Sequence, residues 1–379
     1  MNSRNRSALT IIIILCSAAL AVVSALRLIA PAALNWIDTL GPGLAGRMLP
    51  AAVCAAIGVA AGLAGASVGL LGHGEVRASE SSGARASGTL GAAAVIVAVV
   101  MIFLTPGGLI PVAGYTFAAV VIIGVCALAV LLVRRHPVWG LALIAALAGL
   151  VAWVIARMRG AELASSFWAS FIEVLPGALL AALHLLAAVA LIARTAAQAD
   201  GRGGAPARWV LRHRRAITIA AACCALPYTL ARISWLTPWP LLAPEGLDLA
   251  ATPMVLLTGL SLGAAMLVGG LLTLGLILPW GRRFPRWMAV IGGRPVPPAL
   301  AVVPASVVAA LFTAGGIDLV LSVSDGGIGD GTAAQVLELV FVFPFWLWGP
   351  LLALATWGYA MTRRSERAST VHPQPQMLS

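Results

Sequence analysis

Apolar residues run along this chain in long uninterrupted blocks, not in the spaced or alternating patterns of half-buried helices and strands. Ten such blocks can be drawn, at 8–33, 48–72, 90–111, 116–133, 138–156, 170–193, 216–235, 254–280, 299–323 and 336–360. A helix rises about 1.5 Å per residue and a bilayer core is roughly 30 Å thick, so blocks of this length predict membrane-crossing helices. The third and fourth belong to one uncharged stretch, 86–133, which as a single helix would be about 70 Å long. Thr105-Pro106-Gly107-Gly108 supplies the turn that divides it. The predicted fold is all-α: a polytopic helical membrane protein with about ten transmembrane helices in a single domain over 1–360. A short cytoplasmic tail, 361–379, reads as disordered.

Composition removes the main alternative. With 379 residues, 61% of them hydrophobic and 10% charged, and a mean hydropathy of +1.00, the chain is not a set of soluble domains. The ten blocks and their connections use nearly all of its length.

Charge gives the blocks a direction. All 24 basic residues are arginine, and 19 of them fall in alternate gaps together with four acids, whereas the other gaps hold five arginines and nine acids. The five are Arg27, Arg47, Arg157, Arg159 and Arg232. Basic loops resist translocation, so the arginine-rich face, and with it both termini, is assigned to the cytoplasm of a plasma-membrane protein. Tryptophans agree, with Trp36, Trp168, Trp235 and Trp239 at outer ends and Trp139, Trp209, Trp280, Trp287 and Trp357 at inner ones. The first block also has the makings of a secretory signal, with Arg4 and Arg6 ahead of it and Val23-Ser24-Ala25 as a cleavage site. Cleavage would leave nine helices without reversing any of them.

Cys16, Cys54, Cys126, Cys223 and Cys224 lie inside apolar blocks with no CxxC spacing, so neither a disulfide framework nor a metal site is implied. No catalytic, nucleotide-binding or cofactor signature is present, and the basic charge already has a topological role that makes nucleic acid an unneeded partner.

Ionisable residues within or near the blocks are the candidates for a polar site: Glu173, His184, Arg232, Asp318 and Glu338. Glu173 and His184 are eleven positions apart, about three helical turns, so they share a face without touching. Pro176 and Gly177 between them are placed to break the helix. Glu173, Arg232, Asp318 and Glu338 sit near outer ends, where Arg232 is able to offset the desolvation of an acid. Each also has a plainer reading, a satisfied core histidine or a charge that simply reaches the interface.

Phe341, Phe343, Pro344, Phe345, Trp346, Trp348 and Pro350 mark a kinked aromatic segment, suited to a flat hydrophobic ligand or to ordinary packing. Gly58 with Gly62, Gly65 with Gly69, and Gly259 with Gly263 have the small-xxx-small spacing of closely approaching helices, within the chain or between copies. Arg212, Arg214 and Arg215, on the inner side, are candidates for contact with anionic lipid in addition to the bilayer itself.

The most distinctive stretch runs Pro279-Trp280-Gly281-Arg282-Arg283-Phe284-Pro285-Arg286-Trp287-Met288 and then Ile291-Gly292-Gly293-Arg294-Pro295-Val296-Pro297-Pro298. With Leu226-Pro227-Tyr228 and Trp235-Leu236-Thr237-Pro238-Trp239-Pro240, it resembles a group of uncharacterised multi-pass membrane proteins from high-GC actinobacteria. The resemblance covers the C-terminal half and implies a membrane fold but no activity, substrate or site residue. The prolines stiffen the loop and its tryptophans suit headgroups, which predicts a fixed structure on the inner face.

Three functional readings follow. The first is a permease-like or small-ligand-binding membrane component using the five candidate residues; the second is a structural or assembly protein with no transport activity; the third is an intramembrane enzyme acting on lipid, which the lack of an H/E/D motif disfavours.

Overall fold

The computed structural model describes residues 3–74, 83–109, 129–130, 132–134, 137–158, 160–199, 204–243, 248–249, 252–286, 292–324 and 332–371. Its helices are α1 (Ser3–Ile29), α2 (Leu44–Met48), α3 (Ala51–Gly74), α4 (Gly83–Phe103), α5 (Pro137–Met158) and α6 (Gly160–Ala199). They continue with α7 (Ala205–Cys223), α8 (Leu226–Ile233), α9 (Pro253–Leu274), α10 (Pro298–Ser324), α11 (Ala333–Val342) and α12 (Phe345–Val371). The fold is an all-α polytopic membrane fold, 84% helical with no strand among the described residues. Among the described residues, seven helical spans are long and apolar enough to cross a membrane, and Thr89–Phe103 and Pro137–Gly149 are shorter apolar helices. The expected fourth crossing, 116–133, and Cys126 lie largely or wholly outside the described residues. Large apolar side chains such as Ile29, Leu15 and Leu70 stand exposed on the helices, as they do where the solvent is lipid.

Several boundaries differ from those read in the sequence. The gap expected at 157–169 is mostly helix, because α6 starts at Gly160 and runs for 40 residues. It extends beyond its apolar part, Trp168–Ala196, since polar Ala-rich sequence is also a good helix former. The Pro176-Gly177 pair does not break α6. Thr39 supplies the local remedy: its hydroxyl accepts the Gly177 N–H at 3.1 Å and faces the Val174 carbonyl at 3.4 Å. The seventh block splits instead, into α7 and α8 around Cys224 and Ala225, with Pro227 beginning the new helix. The tenth splits at Phe343-Pro344. Pro344 has no N–H for the Val340 carbonyl, and the Trp346 indole donates to that oxygen at 3.2 Å in its place. At the C-terminal end, α12 continues to Val371, well into the region read as a disordered tail.

The helices form two groups, each with its own core. Ile13, Leu20, Val97, Met101, Leu180 and Leu191 fill the first, among α1, α3, α4 and α6. Ile217, Leu276, Phe345, Trp348, Leu352 and Tyr359 belong to the second, built on α7, α10 and α12 with α9 and the turn after it alongside. Glycine sets the closest approach in the first group. A Cβ on Gly62 would lie 2.7 Å from Ser17 O and Ala21 N, and one on Gly69 would lie 2.7 Å from the Ile14 side chain. Gly58 and Gly65 face Ser24 and Ser17 in the same antiparallel register, so this small-residue stripe is used inside the chain by α1 against α3. The aromatic segment is likewise packing in its buried part: Phe312 lies 4.7 Å from Phe345 and 4.9 Å from Trp348, between ring centroids.

Polar contacts between helices join residues assigned to one side. Arg27 pairs with Asp38 and Arg47 with Asp318 at the ends assigned to the outside, and Arg194 reaches the Val68 carbonyl, Arg214 the Thr362 hydroxyl and Arg282 Glu366 at those assigned to the inside. Cysteine-bearing reporter tags inserted after residues 200 and 290 are therefore expected to be shielded from an impermeant maleimide or protease applied outside the cell. Labelling of either from outside would reverse the assignment.

Candidate functional site

The two helix groups meet where α10 lies against α6 and α4. On the outer side of this junction, the segment between α1 and α3 folds inward instead of skirting the surface. Ile37 and Ala45 are buried, as is Thr105 in the turn after α4. Irregular backbone is tolerated at membrane depth when protein covers it and supplies its hydrogen bonds. Here Gly107 N–H donates to the Gly41 carbonyl at 2.9 Å. Gly108 takes φ +67°, a left-handed conformation that suits glycine, and so turns its N–H toward α10.

Asp318 receives that N–H. Its Oδ2 accepts from Gly108 at 3.0 Å and its Oδ1 from Arg47 Nε at 3.3 Å. Arg47 Nη2 donates to the Ser322 hydroxyl at 2.6 Å, and that hydroxyl donates to the Asp318 carbonyl at 2.7 Å, one turn back. The carboxylate side chain is 10% exposed and the guanidinium 23%. Both Asp318 oxygens are thus occupied by one element from each of two loops, and the cluster ties α10 to the first helix group. Asp318 was foreseeable as an intramembrane acid. Arg47, Ser322 and Gly108 were not; the available signal for Arg47 was its place among the few arginines off the basic side.

Inward of this cluster comes an apolar one, Leu109, Ala181 and Ala314, with Leu40, Ile102 and Leu311 packed on it. His184 is nearly a turn further inward on α6, and Asp318 a turn further outward on α10, so the two are separated by roughly 10 Å along the bundle. His184 is buried, and its Nδ1 lies 2.9 Å from the Leu180 carbonyl of its own helix, the bond expected of a satisfied core histidine. Glu173 and Glu338 are exposed on α6 and α11.

Arg232 does not offset an acid. Asp318 is matched to Arg47, and the Arg232 guanidinium instead lies between two rings, its Cζ 4.7 Å from the Tyr228 centroid and 4.2 Å from that of Trp235. The physical reason is register: α8 is short and packs on α9, which puts Arg232 against that helix and away from the α10 junction. The structure therefore brings no two of the five candidate residues together into one polar group.

The face assigned to the cytoplasm is more highly organised. The segments 282–286 and 292–296 pair with each other, with Phe284 N–H donating to Arg294 O at 3.0 Å, Gly293 N–H to Phe284 O at 2.8 Å and Val296 N–H to Arg282 O at 2.9 Å. The start of α12's last turns clamps this loop. Tyr359 donates to Gly281 O at 2.8 Å, Arg363 to Val296 O at 3.0 Å, and Glu366 pairs with both Arg282 and Arg363 at 3.1 Å. These described residues are held in place by hydrogen bonds and ion pairs, while Trp287 and the rest of 287–291 lie outside the described residues. Of the three arginines proposed for lipid contact, Arg214 is partly buried and bonded to Thr362 at 2.6 Å, while Arg212 and Arg215 are exposed. Among the described residues, no three His, Cys, Asp or Glu side chains are grouped in a way that would hold a metal ion. Comparison with family models, with curated proteins and with solved structures found no match to this chain.

Proposed function

We propose that the protein is a structural or assembly component of the plasma membrane, and that its charges set orientation and hold its two helix groups together. One observation carries this reading. The five ionisable residues that a proton-coupled path would use are dispersed: two are exposed, one is stacked between rings, one is locked to Arg47, and His184 is bonded within its own helix. The clamped inner loop supports it from the other side, because a rigid surface at the membrane face is suited to contact with a partner or with anionic lipid at Arg212 and Arg215. The sequence resemblance to actinobacterial membrane proteins adds the expectation of a family of similar architecture.

The permease-like reading is favoured by one feature, the division into two helix groups closed on the outer side by Arg47 and Asp318. The two are separated by flux. Purified protein in proteoliposomes carrying an internal pH dye is expected to dissipate an imposed proton gradient no faster than empty vesicles, with or without a panel of amino acids, sugars and small anions. A substrate-dependent proton flux in the wild type that disappears in His184→Ala would restore the permease reading.

A further inference from the structure

Arg232 is the side chain whose surroundings ask for a ligand. Its aliphatic stem lies flat on α9, where a Cβ on Gly263 would come within 2.7 Å of Arg232 Cβ. One helical turn earlier in α9, Gly259 makes the matching space for the Trp235 ring. Both members of the Gly259 and Gly263 pair are thus spent on seating these two side chains. Trp235 is fixed further by its indole N–H, which donates to the Leu241 carbonyl at 2.9 Å, and Tyr228 by ring contact with Phe343 at 4.7 Å. The guanidinium is held between two immobile rings before anything binds.

What the guanidinium lacks is an acceptor. It has five N–H donors and no acceptor capacity; its Nε is covered by protein with no hydrogen-bond partner, so the two Nη groups are the donors a ligand can reach, and among the described residues no carboxylate lies within ion-pair distance. Cation–π contact offsets only part of the cost of removing a cation from water. Its level in the bilayer is also informative. The adjoining outer loop exposes Leu236, Trp239 and Leu241, an apolar and aromatic edge that favours the headgroup layer, where phosphates are the prevailing anions.

We propose that Arg232, clamped between Tyr228 and Trp235, is a binding site for a phosphate group at the outer membrane interface, presented either by a phospholipid headgroup or by a free phosphate. A planar guanidinium engages phosphate oxygens in paired hydrogen bonds, and the rings fix the plane in which that pairing occurs.

The test uses the full chain in a maltoside detergent and reads binding by tryptophan fluorescence, with thermal unfolding as a check on the fold. Three probes are compared: dihexanoyl phosphatidylglycerol, inorganic phosphate, and dihexanoylglycerol, which has the same chains and no phosphate. Wild type is expected to bind at least one phosphate-bearing probe, and Arg232→Gln to bind it roughly 10- to 100-fold more weakly. Binding of the lipid alone identifies a headgroup site, and equal binding of inorganic phosphate identifies a free-anion site. Arg232→Lys keeps the charge and the stem on Gly263 but not the planar fork, and is expected to lose roughly 10-fold; it serves in place of Arg232→Gln should that variant fail to fold. The proposal is overturned if dihexanoylglycerol binds as tightly as its phosphate-bearing counterpart, if neither phosphate probe binds, or if both folded variants bind like wild type.

Discussion

Asp318→Ala is expected to cost about 3 kcal/mol of stability, the low end of the penalty for removing one partner of a buried ion pair, because the carboxylate is 10% exposed and the guanidinium 23%. Two groups lose a contact in that variant. Arg47 keeps only the Ser322 hydroxyl among the contacts described above, and the Gly108 N–H, held toward α10 by a left-handed backbone, points at an empty space. Arg47→Ala is expected to be similarly damaging because it leaves a carboxylate with a single backbone donor. Removing both is a different matter. The double variant removes both ends of this contact, so its loss should fall short of the sum of the single losses by about 2 kcal/mol. Unfolding of each variant in mixed micelles of increasing denaturing detergent measures all three, and strictly additive losses would mean that the pair does not act as a pair.

A second large effect is expected from a methyl group. In Gly43→Ala the new Cβ would fall inside the contact distance of the Thr105 carbonyl oxygen and lie 3.0 Å from Gly107 N and Pro106 C. All three are backbone atoms of the turn that presents Gly108 to Asp318, and none can swing aside as a side-chain tip would. Overpacking of this kind costs about 1–3 kcal/mol and sometimes more. Gly41→Ala is the control, since nothing lies within 4 Å of the Cβ it would add, and it should stay within about 0.5 kcal/mol of wild type. Thermal unfolding of the two purified variants decides the matter: equal melting temperatures would show that the approach of the two loops is loose enough to absorb an extra carbon.

Both predictions concern a junction that periodicity does not reveal. Asp318 is conspicuous in the sequence because an acid inside an apolar block is costly, but its partner lies 271 positions earlier in a connecting segment. Nothing in the residues around Arg47 distinguishes an arginine aimed into the protein from one that ends at the headgroups. Arg232, by contrast, has aromatic neighbours in its own sequence at Tyr228 and Trp235, spacings of four and three residues that place rings on its face of a helix. That clamp was open to reading, and an acid partner was the less local expectation. The glycine pairs were visible as a pattern, yet the pattern alone does not distinguish a partner within the chain from a second copy; the register of Gly58, Gly62, Gly65 and Gly69 against α1 does.

By itself the sequence pointed to a multi-pass membrane protein that is mainly helical, and to most of its crossings, because the cost of exposing backbone or charge to hydrocarbon is large and acts on each segment alone. It also gives an expected orientation, since that depends on a count of arginines beside each crossing. Which helices touch, and hence the two groups, the Arg47 to Asp318 lock and the clamp of α12 on the inner loop, was decided only by tertiary structure. Lipid tails are as apolar as leucine, so hydrophobicity gives one helix no reason to prefer another. Small residues that permit close approach and single polar bonds between distant positions make that choice, and both depend on three-dimensional fit.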